Sequence, residues 1–132
     1  MVETYLSEVW SKGNLQGVID FYDPAVKGLG DDFTLEGFQM SVKSLREVFP
    51  DFKVTLLDIF SSVDKVICEV TYTGTHTGKK MFEQEPLGNK IDVHGIDIYT
   101  FKEGKCIRHQ HVADHLDMVM QIGIELTPTE KK

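Results

Sequence analysis

Two residues late in the chain are of types that can move a proton. Asp97 falls in the series Ile91, Val93, Gly95, Asp97, Tyr99, Phe101, every second residue of an otherwise apolar run. In a strand that spacing puts all six on one face. A carboxylate on an apolar face is costly to bury alone, and burial raises its pKa. A raised pKa is what a general base for a weakly acidic C–H needs. His111 has the spacing of Ile107 and His109. An imidazole titrates near neutrality, at about 6.5 when unperturbed, so it can give or take a proton, and a neighbouring Asp97 can orient it or share its proton. The plainer alternatives are a structural carboxylate bonded to its neighbours and a solvated strand histidine.

Whether the pair meets depends on the turn between their strands. A plain two-residue hairpin at Glu103-Gly104 sets Asp97 opposite Gln110. A three-residue loop with a glycine bulge sets it opposite His111. The bulged form is the expectation, with Asp97 and His111 as catalytic residues.

Several residues can support such a pair. His76 has the parity of Val66, Cys68, Val70 and Tyr72. It is expected to point inward and bind a carbonyl or oxyanion, unless it satisfies loop backbone instead. Gln110 can take the same part. Tyr72 and Tyr99 suit a pocket wall, since a phenol adds a polar tip to an apolar body. His109 is either a further binding residue or a histidine at the core edge. His109, His111 and Asp97 together are also the donor set of a two-histidine, one-carboxylate metal site. Any histidine pair two apart in a strand shares a face, so the expectation is no metal and no cofactor. His94 shares a face with Asp92 and Thr100, exposed or at a dimer interface.

The elements that must position these residues follow from periodicity. Val2, Leu6, Val9 and Trp10 recur at helical spacing up to Gly13. Asn14 is a candidate N-cap for a second helix, with Leu15, Val18, Ile19 and Tyr22 as its apolar face and Asp23-Pro24 as its stop. Residues 25–32 read as a short strand and a loop. Thr34 can cap a third helix with the stripe Leu35, Phe38, Val42, Leu45, Phe49, closed by Pro50. The period then changes to two, through Phe52, Val54 and Leu56, through Val66 to Tyr72, and over 91–101 and 105–112. The turns fall at 61–64 and Glu103-Gly104, with a longer connection over 74–89. Asp114 can cap a last helix that carries His115 and Asp117 in its first turn, Leu116, Val119, Met120 and Ile124 as its apolar side, and Gly123 as its stop. Helices first and strands after predict an α+β domain, its N-terminal helices packed on a curved, mainly antiparallel sheet. A long twisted sheet curling around helices forms a cone with a pocket at its open end. The expected domain spans 1–126, with a polar tail over 127–132.

Composition narrows the partners. The chain has 132 residues, 41% hydrophobic and 27% charged, which suits one globular domain. A net charge of −7 repels phosphate backbones, so nucleic acid is not an expected partner. The longest apolar runs fall far short of the roughly 20 residues of a membrane span. The start, Met1-Val2-Glu3-Thr4, lacks the basic residues and apolar run of a signal peptide. Cys68 and Cys106 stand singly in apolar runs without metal-ligand spacing. They read as reduced core thiols and favour a cytoplasmic location.

The segments Val9-Trp10-Ser11-Lys12-Gly13-Asn14, Phe21-Tyr22-Asp23-Pro24, Val48-Phe49-Pro50-Asp51-Phe52, Gly74-Thr75-His76-Thr77-Gly78, Gly95-Ile96-Asp97-Ile98-Tyr99, Gly104-Lys105 and Asp114 through Gln121-Ile122-Gly123, in that order and spacing, resemble the SnoaL-like polyketide cyclases. The resemblance covers the chain from Val9 to Gly123. It implies the cystatin-like cone of the NTF2-like superfamily, and a cofactor-free enzyme that closes a ring by intramolecular aldol condensation. The same superfamily holds ketosteroid isomerases, epoxide hydrolases, dehydratases and binding modules. The characterised cyclases use an aspartate on the last strand as acid/base and a histidine on the strand before. His111 takes the place of that aspartate and Asp97 the place of that histidine, so the two types are exchanged. Many relatives carry tryptophan where this chain has Gln110, which implies a more polar pocket. The combined expectation is acid/base proton transfer on a small carbonyl compound in an apolar cone, by a homodimer. The alternative is a small-molecule binder without catalysis.

Overall fold

The computed structural model describes residues 1–29 and 33–125. The expected tail over 127–132, and the part of the 25–32 loop beyond residue 29, lie outside the described residues.

Helix α1 (Val2–Tyr5) widens without a break into a π-helical turn (Leu6–Ser11), where the Lys12 N–H reaches back to the Ser7 carbonyl. Helix α2 (Gln16–Phe21) and strand β1 (Tyr22–Lys27) follow, then α3 (Leu35–Val48). Strands β2 (Lys53–Ser62), β3 (Lys65–Thr75), β4 (Lys90–Lys102) and β5 (Lys105–Ala113) lead to α4 (His115–Gln121). The sheet order is β1-β5-β4-β3-β2, antiparallel throughout except for the parallel pair β1 and β5. One apolar core unites Val9, Val18, Phe21, Val42 and Phe49 of the helical layer with Val54, Val70, Val93 and Tyr99 of the sheet. This is the expected α+β architecture. Each large apolar side chain so buried contributes roughly 1.5–3 kcal/mol.

Local signals hold where a side chain acts on its own backbone. Thr34 accepts from the Gly37 N–H and caps α3; Asp114 accepts from the Asp117 N–H and caps α4. Asn14 does not cap α2, whose N-cap is Leu15 with no side-chain bond. The helix faces also shift. In α2 the buried residues are Val18 and Phe21, while Ile19 is exposed and Tyr22 already belongs to β1. In α4 Met118 and Ile122 are buried, and Leu116 and Met120 face out. Both helices are under two turns long, so their stripe is too short for spacing to define.

The register of β4 on β5 decides what lies beside Asp97. The turn is a two-residue one: Lys102 pairs with Lys105, and Glu103 and Gly104 both have positive φ. The three-residue loop is therefore corrected. The bulge lies farther along, in β5. Phe101 pairs with Cys106 and Thr100 with Arg108, which leaves Ile107 unmatched. That extra residue moves the ladder by one, so Asp97 faces His111 and Tyr99 faces His109. It also means that Cys106, rather than Ile107, is the buried neighbour of the two histidines.

Arg46 of α3 ties the layers together. Its Nη1 donates to the carbonyls of Trp10 and Ser11 at 2.8 and 2.9 Å and to that of Phe52 at 3.0 Å. It thus joins the end of the first helix to the start of β2. Arg46→Met should leave these carbonyls unsatisfied and lower stability by about 2–3 kcal/mol. Urea unfolding checks this, and a loss under about 0.5 kcal/mol would mean that water replaces the guanidinium.

Candidate active site

The inner face of the sheet surrounds a cavity of about 390 Å³, within the range of small-molecule sites. Leu6, Trp10, Leu45, Phe52, Val93 and Met118 supply much of its apolar wall, while the ionisable side chains Asp97, His109, His111 and His115 and the phenols of Tyr72 and Tyr99 also line it.

Asp97 is 2% exposed, and three side chains from two strands satisfy it. Its Oδ1 lies 2.7 Å from His109 Nε2 and 2.7 Å from His111 Nδ1; its Oδ2 accepts from the Tyr72 hydroxyl at 2.9 Å. Two histidines of β5 thus grip one oxygen from the neighbouring strand. The phenol from β3 reaches the other oxygen because Gly95 leaves its path open. A Cβ at Gly95 would stand 2.8 Å from Tyr72 Cε2.

The electrostatics reverse one expectation. Burial does push the Asp97 carboxyl up, but the hydrogen bonds from His109 and His111 outweigh it and hold it well below the usual carboxylate range. Asp97 is therefore ionised and a weak base, not the raised-pKa base expected from its apolar face. An ionised carboxylate only accepts. Both imidazoles then carry a hydrogen on the nitrogen that faces it. The Tyr72 phenol is pushed far up, by burial first and by Asp97 second, and keeps its hydrogen.

The two histidines differ in access. The His109 side chain is 5% exposed and that of His111 is 27%. Among the described residues His111 Nε2 has no protein partner, and the residue lines the cavity. The His115 ring centroid is 5.7 Å from that of His111, at the same end of the cavity.

Asp97, His111, His109, Tyr72 and Tyr99 are thus brought together. His76 and Gln110 are not. His76 is fully buried, but its Nε2 donates to the Lys79 carbonyl at 2.8 Å, its Nδ1 has no partner among the described residues, and it packs on Phe49 outside the cavity lining. Its inward parity held, but β3 ends at Thr75 and the chain turns away there. Gln110 lies between His109 and His111 and is exposed on the outer face, opposite Ile98. His94 is on that outer face too, paired with Glu69 at 2.6 Å. His115 was legible as a first-turn residue, but not as a cavity residue. Its direction follows from the clamp of α4 on β4, where the Gln121 side chain accepts from Asp92 N–H at 2.7 Å and donates to Asp92 C=O at 3.1 Å.

Asp97, His109 and His111 also offer one potential metal-ligand atom each, all within 4.8 Å of one another. A cation would need the imidazole lone pairs where hydrogens now meet the carboxylate.

A family model described as SnoaL-like polyketide cyclase matches residues 1–122. No curated protein matches the chain. Among solved structures, TsrD from Streptomyces laurentii superposes with a TM-score of 0.82 at 20% identity, over 92% of this chain and 91% of that one. A proposed polyketide cyclase from Acidithiobacillus ferrooxidans gives 0.79 at 26% identity, over 92% and 90%. IdmH from Streptomyces antibioticus, also a proposed polyketide cyclase, gives 0.77 at 22% identity, over 92% and 96%. TsrD and IdmH, below 25% identity, show the shared fold.

The depressed Asp97 has a consequence for stability. Its folded pKa lies below the unfolded value of about 3.9. Its contribution is fully present above that value and is lost as the pH falls through the folded pKa. Asp97→Ala should therefore lose about 3–5 kcal/mol at neutral pH, and the gap to the parent should narrow below about pH 4. Denaturation at a series of pH values measures this; a gap independent of pH would assign the loss to packing.

Proposed function

Since the chain belongs to the SnoaL-like polyketide cyclase family, we propose that it is a cofactor-free enzyme that moves a proton within a small carbonyl compound and closes its ring by an intramolecular aldol step. One observation carries this reading: His111 lines an apolar cavity with its Nε2 unbonded among the described residues, while a buried, ionised Asp97 holds its Nδ1 at 2.7 Å. That is how a carboxylate orients an imidazole base and stabilises the imidazolium it becomes.

In this mechanism His111 Nε2 takes a proton from the carbon beside a carbonyl, and the C–H electron pair passes to the carbonyl oxygen as an enolate. The enolate carbon then attacks a second carbonyl of the same molecule. A C–C bond forms, and the proton on His111 goes to the new alkoxide. Asp97 keeps its charge throughout. His115 is the residue at this end of the cavity able to steady the enolate oxygen, in place of His76 and Gln110, which face elsewhere. The apolar walls exclude water, which strengthens each of these interactions.

The test is proton exchange at the α-carbon of a panel of aromatic β-diketones in deuterated buffer, followed by NMR. The protein should accelerate exchange saturably, and His111→Ala should lower kcat by about 10²–10⁴-fold with a smaller change in KM. Full parental turnover in both His111→Ala and Asp97→Ala would sink the mechanism, and saturable binding without exchange would favour a carrier.

The proposal extends to setting and assembly. Cys68 and Cys106 are free and buried, and burial pushes both thiols up to about 11, as suits a reducing cytoplasm. Among the described residues no helix is long and apolar enough to cross a membrane. On the outer face of the sheet Phe60, Ile96 and Val112 are exposed beside the Glu69–His94 pair, an apolar patch with a polar rim that suits a second copy of the chain. Light scattering should give twice the monomer mass, and Ile96→Lys should return it to the monomer value. A monomeric parent would refute the dimer.

A further inference from the structure

His109 is the one member of the Asp97 cluster that faces away from solvent at both ring nitrogens. Its Nδ1 lies 2.9 Å from the Tyr22 hydroxyl, which is 2.6 Å from the Tyr5 hydroxyl, which in turn accepts from Trp10 Nε1–H at 3.2 Å. These groups come from four elements, yet they form one line from the rim of the first helix to the carboxylate.

The line has a direction. An indole N–H only donates, so Tyr5 oxygen accepts from Trp10. If Tyr5 then donates to Tyr22, and Tyr22 to His109 Nδ1, every hydrogen has an acceptor. His109 is left neutral, with its hydrogen on Nε2, aimed at Asp97. If the line ran the other way, His109 would donate to Tyr22 and Tyr22 to Tyr5. The buried Tyr5 hydroxyl would then accept twice, and its own hydrogen would have no acceptor among the described residues. A buried donor left unpaired costs about 1–3 kcal/mol. Burial pushes both phenols above their ordinary value, so neither hydroxyl loses its hydrogen by ionisation.

We propose that Trp10, Tyr5 and Tyr22 act as positioning residues: their hydrogen-bond chain locks His109 as the neutral Nε2–H tautomer, a permanent donor to Asp97, and leaves His111 as the only imidazole of the cluster that exchanges a proton. The groups that face His109 are Asp97 and Tyr99 from β4, His111 from β5, and Tyr22 from β1, with Tyr5 behind Tyr22. Of these Asp97 alone carries a fixed charge, and its attraction for an imidazolium works against the lock. The chain therefore has to supply the opposing preference. With His109 Nε2 already protonated, its lone pair is also denied to a metal ion.

The catalytic meaning rests on the acid/base reading given above, whereas the placement of the proton does not. The experiment therefore needs no substrate. Long-range nitrogen–proton NMR on histidine-labelled protein should show, for His109, an unprotonated Nδ1 and a protonated Nε2 that stay unchanged between about pH 5 and 8. In Tyr22→Phe the donor to Nδ1 is gone, and His109 should begin to titrate. Tyr5→Phe leaves His109 Nδ1 as the one acceptor for the Tyr22 hydrogen among the described residues, so the lock should persist there, and the parent spectrum decides if Tyr22→Phe does not fold. A parent spectrum with hydrogen on His109 Nδ1, or a folded Tyr22→Phe with His109 unchanged, overturns the proposal. Locked His109 in a protein without α-proton exchange would leave the relay standing and remove only the acid/base reading.

Discussion

The fold is organised around the need to keep one carboxylate ionised inside an apolar cone. Desolvation alone would neutralise Asp97. It stays charged because three hydrogen-bond donors reach its two oxygens: His109 and His111 on one, Tyr72 on the other. Each donor depends on a feature elsewhere. The histidines need the unmatched Ile107 in β5 to bring their face level with Asp97. Tyr72 needs the empty space at Gly95. His109 needs Tyr22, which enters the site because β1 starts right after α2 and pairs in parallel with β5.

This constraint divides labour among groups that look alike on paper. A carboxylate held so far down cannot serve as the base, so its task is to orient and to balance charge. Of the two histidines bound to it, the one tied to the tyrosine line is buried, and the one at the mouth is open on its far nitrogen. In the proposed mechanism proton traffic falls to the side chain with a free lone pair at the cavity wall. The remaining apolar walls keep the surroundings dry, which makes a single oriented imidazole more effective than it would be in water.

Much of this was legible in the order of the residues. The change from a helical period to a period of two after Pro50 marks where the helical layer ends and the sheet begins. Alternation placed Cys68, Val70, Val93, Asp97 and Tyr99 on the inner face, and capping chemistry placed the starts of α3 and α4. These signals are local: they depend on a side chain's own backbone or on its neighbour two residues away. The short helices were read less well. In α2 and α4 two apolar residues competed for each inward position, and packing chose Phe21 over Ile19 and Met118 over Leu116.

The sequence by itself determined the α+β class and the face on which Asp97 lies, because a period of two is a property of a few adjacent residues; it pointed to the pairing of Asp97 with His111 through a turn that the structure does not have. Only the tertiary structure decided that the offset comes from a bulge at Ile107 rather than from the turn, that His76 and Gln110 face away from the cavity, and that His115 faces into it. It also decided the sign of the Asp97 shift. A carboxylate's ionisation depends on which donors surround it in space, and here they come from β3 and β5, held by a tyrosine line that begins at the far end of the chain.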